Sequence, residues 1–201
     1  MTAVTLIRLH DVPPQPWRNG GGSTRQLFAW PADGPWHARI SVADIDRDGP
    51  FSAYPGIDRW FVVLQGAGVQ LALPHGPVTL RHGSRPLHFD GDAAPGCTLL
   101  GGPTRDLNLM LRRGQNGAGS IGSIQPVVLD QPCASPAPLR ALFCADTVAL
   151  HIDGAPAQPM SAWTLAVSTG ARHPRWWVTA SDPAARAWWI TCAPAATPAP
   201  A

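Results

Sequence analysis

"WHARISVADI", Trp36–Ile45, alternates along its length: Trp36, Ala38, Ile40 and Val42 fall on one side, His37, Arg39, Ser41 and Ala43 on the other. Successive side chains of an extended chain point to opposite faces, so this period of two predicts a strand over Trp36–Val42 with one apolar face and one face of mixed chemistry. "DLNLMLR", Asp106–Arg112, repeats the pattern, with Leu107, Leu109 and Leu111 set against Asp106, Asn108, Met110 and Arg112, and predicts a strand over Leu107–Arg113. Outward from these two, strands are predicted at Val4–His10, Thr24–Trp30, Trp60–Leu64, Gly68–Leu73 and Val78–His82. Further candidates are Val127–Leu129, Val148–Ile152, Trp163–Val167, Trp176–Thr179 and Trp188–Cys192. Turn-rich stretches such as "GPFSAYPGIDR", Gly49–Arg59, separate them. A helical turn is expected around Pro183–Ala187 and little helix elsewhere. Many short strands with this punctuation predict an all-β antiparallel barrel or sandwich, with two related halves though no crisp repeat.

Composition points the same way and excludes several function classes. Of 201 residues, 20 are Gly and 23 Pro, and the 15 basic and 13 acidic residues are all Arg and Asp. Without Lys or Glu, the chain lacks two strong formers of exposed helix, a Schiff-base amine and a Glu acid. A net charge of +2 and the absence of an Arg cluster larger than Arg112–Arg113 exclude an electrostatic nucleic-acid surface. No apolar run has the length of a transmembrane helix and Met1–His10 does not read as a secretory signal, so a cytoplasmic location is expected. Cys97, Cys133, Cys144 and Cys192 form no C-x-x-C pair and are read as reduced, mostly buried residues. His10, His37, His75, His82, His88, His151 and His173 contain no His-x-His pair, and there is no Glu to complete a set of metal ligands. The expected pocket is metal-free and holds no cofactor.

"PWRNGGGSTRQL", Pro16–Leu27, concentrates backbone freedom at Gly20, Gly21 and Gly22. Two readings stand side by side: a bulge or close strand crossing, or amides offered to a bound anion. Asn19 supplies a left-handed turn or a ligand donor. Arg39, Arg59 and Arg112 carry planar forks suited to a carboxylate, with Ser41 as a neutral donor and Asn108 as donor and acceptor beside Asp106. Met110, on the face of Asp106 and Asn108, argues for a pocket wall over a solvated face. Asp58 and Arg59 either pair with each other to fix the turn or serve the pocket rim. Trp17, Phe51 and Tyr54 belong to the core or the rim. The pairs Trp176–Trp177 and Trp188–Trp189 place one indole on each sheet face, so one of each is expected at an exposed face and a homodimer contact; a plain sandwich core is the other reading.

"PWRNGGGSTR" (Pro16–Arg25), "WHARISVADI", "GPFSAYPGIDRWFVVLQGAG" (Gly49–Gly68), "FDGD" (Phe89–Asp92) and "DLNLMLRR" (Asp106–Arg113) stand in an order and spacing that resembles the HutD/Ves family. The likeness is dense from Thr5 to Arg113 and weak from Gly114 onward. It implies a cupin-type jelly roll (a double-stranded β-helix) in bicupin form, with barrel halves at residues 1–113 and 126–193, a linker at 114–125 and a disordered tail at 194–201. It also implies a role in histidine utilisation: binding a small anionic intermediate, urocanate or formylglutamate, and limiting pathway output without catalysing a step. The alternative is a metal-independent cupin isomerase, epimerase or lyase, for which Tyr54 and the pair His10–Asp11 are the available acid–base groups.

Overall fold

A computed structural model describes residues 4–114, 121–170 and 174–193. Strand β1 is Thr5–Arg8, β2 Gln15–Pro16, β3 Gly22–Trp30, β4 Ala38–Ile45, β5 Gly49–Pro50 and β6 Ile57–Gln65. Next come β7 Val69–Leu73, β8 Gly76–Leu80, β9 Leu87–Asp90, β10 Gly96–Leu99 and β11 Thr104–Arg112. The remainder are β12 Ile121–Pro126, β13 Leu139–Cys144, β14 Val148–Ile152, β15 Gln158–Met160, β16 Thr164–Thr169, β17 Trp176–Thr179 and β18 Ala187–Ala193. Among the described residues no helix is long and apolar enough to cross a membrane.

Two compact units result. The first, Val12–Ser120, pairs a six-stranded antiparallel sheet (β2-β3-β4-β11-β6-β9) with a four-stranded one (β5-β10-β7-β8). Ile45, Phe51, Phe61, Val63, Val69 and Leu71 pack between its sheets. Each such side chain, fully removed from water, contributes about 1.5–3 kcal/mol. The central strands β4, β6 and β11 are buried on both faces: Leu107 and Leu109 on one side of β11, Asp106 and Asn108 on the other, are all nearly inaccessible. The alternation of β11 therefore separates two kinds of interior.

The second unit joins Met1–Asp11 to Ile121–Ala193. It pairs a five-stranded sheet (β1-β16-β13-β18-β12) with a three-stranded one (β15-β14-β17). Leu142, Val148, Leu150, Met160, Trp176 and Trp189, drawn from both sheets, pack in its interior, with Arg140 buried on the same face of β13 and 5.8 Å from the Trp176 ring.

Several expectations change. Ile121–Pro126 is strand β12, so the end of the expected 114–125 linker is paired to β18, from Ile121↔Ala193 to Pro126↔Trp188. Val127–Leu129 is irregular, following β12 without extending it. The Val4–His10 candidate shortens to β1, runs into a 3-10 turn at Leu9–Asp11, and pairs with β16 in the second unit, apart from the 1–113 half assigned to it. Of the expected helical turn at Pro183–Ala187, Pro183 and Ala184 form a turn, closed by the Asp182 carboxylate on the Ala184 N–H, and Ala187 already begins β18. Trp188 (8% exposed) and Trp189 (7%) are both buried, so that pair offers no exposed indole; Phe143 lies near Trp188 and Trp176 near Trp189. Trp177 is half-buried, with His151 stacked on it at 5.0 Å and Arg175 5.5 Å from its ring. The expected tail at 194–201 lies outside the described residues.

Candidate functional site

Strands β4, β11 and β6 lie side by side in a register that stacks their alternate residues into rows. Arg39, Met110 and Arg59 form one row; Ser41, Asn108 and Phe61 the next; Ala43, Asp106 and Val63 a third. Neighbouring strands are about 4.8 Å apart, so Met110 is a neutral spacer that keeps two guanidiniums in one row from lying side by side. These rows face a cavity of about 510 Å³. Of the residues the sequence nominated, Asn19, Arg39, Ser41, Arg59, Asp106, Asn108 and Met110 line it. So do Trp17, Phe51 and Tyr54, from the segments that cross its mouth.

Arg59 is only 7% exposed, and its Nη2 donates to Asn108 Oδ1 at 3.3 Å. Its Nε and Nη1 are buried without a hydrogen-bond partner among the described residues, as is Nε of Arg39. Three rings surround the Arg59 guanidinium: Phe89 at 5.0 Å, Phe51 at 5.2 Å and Tyr54 at 5.6 Å. Burial lowers the Arg59 pKa to about 10, opposed by Asp106 and Tyr54 and reinforced by Arg39. The group stays charged at neutral pH. A buried guanidinium with unused N–H groups costs desolvation free energy that a bound anion would recover.

Asn108 Nδ2 donates onward to Asp106 Oδ1. Asp106 is 1% exposed, and burial pushes its carboxyl up to about 8 against the pull of Arg59 and of the Asn108 hydrogen bond. The chain from Arg59 through Asn108 to Asp106 thus runs from a fixed cation to an acid that holds its proton to neutral pH.

The glycine triplet belongs to a strand crossing. A Cβ on Gly22 would lie 2.1 Å from the Asp44 carbonyl oxygen and 3.2 Å from the Trp17 ring. Gly20 takes φ +67°, and its N–H donates to the Trp17 carbonyl at 3.0 Å. Gly21 N–H donates to Asn19 Oδ1, also at 3.0 Å. Those two amides are therefore engaged by the turn itself, and Gly20, Gly21 and Gly22 do not line the cavity. The triplet holds Trp17 in place, and Trp17 Nε1 donates to Thr24 Oγ1 at 2.7 Å.

Asp58 leaves the expected rim for the opposite sheet face, across from Leu111. Adjacent residues of one strand point apart, so Asp58 pairs with Arg113 (3.1 Å), not with Arg59. Arg112 Nε donates to the Trp36 carbonyl, and its guanidinium lies 5.5 Å from the Trp36 ring, away from the cavity. The sequence reading missed Phe89, whose ring borders Arg59, and Gln15 and Thr24, which extend the Ala43–Asp106 row. Thr24 was legible in principle, since it alternates with Arg25 on β3. Phe89 depends on a pairing between β6 and β9 that spacing does not reveal.

Cupins that hold a metal need imidazoles and a carboxylate converging on one point. Here the cavity lining offers the guanidiniums of Arg18, Arg39 and Arg59, a neutral amide and an acid that holds its proton, a donor set that does not fit a cation. Among the described residues no group of three His, Cys or Asp is placed to share an ion.

An all-β protein of cupin-like fold, with a guanidinium-walled cavity between the sheets of its first unit, is the class that these features define. A cupin 2 conserved barrel domain protein from Leptotrichia buccalis shares the fold alone, with a TM-score of 0.57 at 12% identity over 96% of this chain and 97% of that one. The chain belongs to the HutD family, whose model matches residues 9–184. It resembles the structure of HutD from Pseudomonas fluorescens SBW25, solved in a formate condition, with a TM-score of 0.79 and 27% identity over 95% of this chain and 98% of that chain. An uncharacterized 21.2 kDa protein in the hutC 3′ region of Pseudomonas putida is 38% identical over 120 residues, 55% of this chain. The match spans 59% of that relative's own length.

Proposed function

We propose that this protein is a small-molecule-binding regulator of histidine utilisation, which captures a small carboxylate in its cavity without transforming it. The observation that carries the reading is buried Arg59, with Nε and Nη1 unpartnered, beside half-buried Arg39, whose Nε is also buried and unpartnered, both lining the cavity. A carboxylate offers acceptors to these donors and neutralises charge that burial leaves poorly solvated. Urocanate and formylglutamate are the candidates, small enough for a cavity of about 510 Å³. In this reading both units are barrel halves of a bicupin. The working location is the cytoplasm, and the working assembly a homodimer.

Calorimetric titration with urocanate, formylglutamate and histidine tests the reading. At least one of the two carboxylate intermediates should bind, and Arg59→Met should weaken it by about tenfold to a hundredfold, the loss of charge-assisted hydrogen bonds worth about 1.5–3 kcal/mol. No heat from any of the three with folded protein would sink it. A second reading, a metal-independent isomerase, epimerase or lyase, draws on Asp106 and Tyr54 at one cavity wall, an acid and a phenol beside a guanidinium. Turnover of a candidate substrate that Tyr54→Phe abolishes would favour it.

A further inference from the structure

We infer that Asp106 sets the charge of what the cavity accepts: its carboxyl keeps its proton while an anion lies against Arg39 and Arg59, so that anion and proton enter together. The inference rests on the reading of the cavity as a carboxylate site.

The geometry fixes the polarity of the Asp106 neighbourhood. A guanidinium has only donors, so Asn108 must turn Oδ1 toward Arg59, and its Nδ2 is left to face Asp106. Arg59 from β6, Asp44 from β4 and Cys97 from β10 interact with Asp106, while Arg39 from β4 and Tyr54 from the segment preceding β6 act on Arg59, and exposed Arg18 lines the same cavity. Asp44 is engaged elsewhere by Arg25 (2.8 Å) and Arg105 (2.6 Å). Arg59 is the cation that favours the ionised form of Asp106, and it is the group a bound carboxylate would occupy. An incoming anion therefore removes the support for a second negative charge and adds a like charge nearby; both changes favour the protonated acid. With Asp106 neutral, Arg39 and Arg59 balance a dicarboxylate. With Asp106 ionised, only the exposed Arg18 at the cavity edge is left to offset the third negative charge, and solvent weakens that help.

The linkage has a defined sign. Without ligand, the Asp106 proton is lost as pH rises through about 8. A bound anion moves that loss to higher pH, so uptake on binding is near zero below about pH 7 and approaches one proton above about pH 8.5. Affinity is accordingly flat at lower pH and falls toward about tenfold per pH unit above about pH 8.

Glutarate and formylglutamate, both dianions, are the probes. Their binding to the wild-type protein is followed by calorimetry in paired buffers of different ionisation heat, which counts protons without any variant. Proton uptake that rises toward one above about pH 8, and that per mole of ligand bound disappears in Asp106→Asn however far its affinity falls, is the expected result. Binding with no proton uptake across the range overturns the inference and leaves the carboxylate reading standing. So does uptake that Asp106→Asn retains. Failure of glutarate, formylglutamate and urocanate to bind at any pH defeats the carboxylate reading itself, and the inference with it. If the Asn variant does not fold, the wild-type proton count decides alone.

Discussion

At the residue scale, Asp106 shows how burial turns a common side chain into a different chemical object. In an unfolded chain an Asp carboxyl ionises near pH 4. In the folded protein, burial holds it protonated up to about 8. A group whose folded pKa is raised gives stability that is fully present below its unfolded pKa and is lost as pH climbs to the folded one. The wild-type protein should therefore lose stability relative to Asp106→Asn between about pH 4 and pH 8, by up to about 1.4 kcal/mol per unit, and then level off. Urea melts of both proteins across that range measure the difference; parallel curves would refute it. Asp106, Asn108 and Met110 were legible in the sequence because alternation alone puts them on one face. Asp58 was not, because which side of β6 faces the cavity depends on its register with β11, and no local pattern records that register.

Among the strands, legibility followed the contrast between faces. β4 and β11 announce themselves because apolar and polar residues alternate along them. β13, Leu139–Cys144, is buried along its whole length, and a run such as "LRALFC" gives no alternation to read. β12 hides for the opposite reason: its first residues continue a Gly- and Ser-rich stretch that reads as a linker, and only pairing with β18 makes it a strand. The β3–β4 crossing makes a sharper prediction. Gly22→Ala puts a methyl group into the Asp44 carbonyl, a backbone atom held in the sheet, and should cost about 3 kcal/mol or more. Gly20→Ala meets nothing within 4 Å and strains only φ, so about 1 kcal/mol is expected. Chemical unfolding of the two variants ranks them; equal losses would place the constraint in the turn and not in the crossing.

Over the whole molecule, two units with related sheet arrangements differ in what their interiors hold. The first sets Arg59, Asp106 and Asn108 along a cavity of about 510 Å³; the second packs Leu142, Leu150 and Trp176 together with buried Arg140, beside a cavity of about 410 Å³ lined by Trp189 and Thr191. Leu142→Ala should then cost about 2–5 kcal/mol in stability, while carboxylate affinity in the first unit changes by less than about twofold. A melt and a titration of the same variant check both halves of that statement. The division of the chain was harder to read than its strands, because β1 is distant in sequence from the sheet it joins, and its four residues carry no sign of their partner. That strand has a practical outcome for anyone dissecting the protein. Scissors placed between residues 114 and 121 would not yield two self-sufficient halves, since the later fragment would be missing the border that Thr5–Arg8 provides along β16. A faithful dissection must graft Thr5–Arg8 onto the later fragment or supply it as a separate peptide, and ribosomal synthesis leaves that border waiting until β16 has emerged.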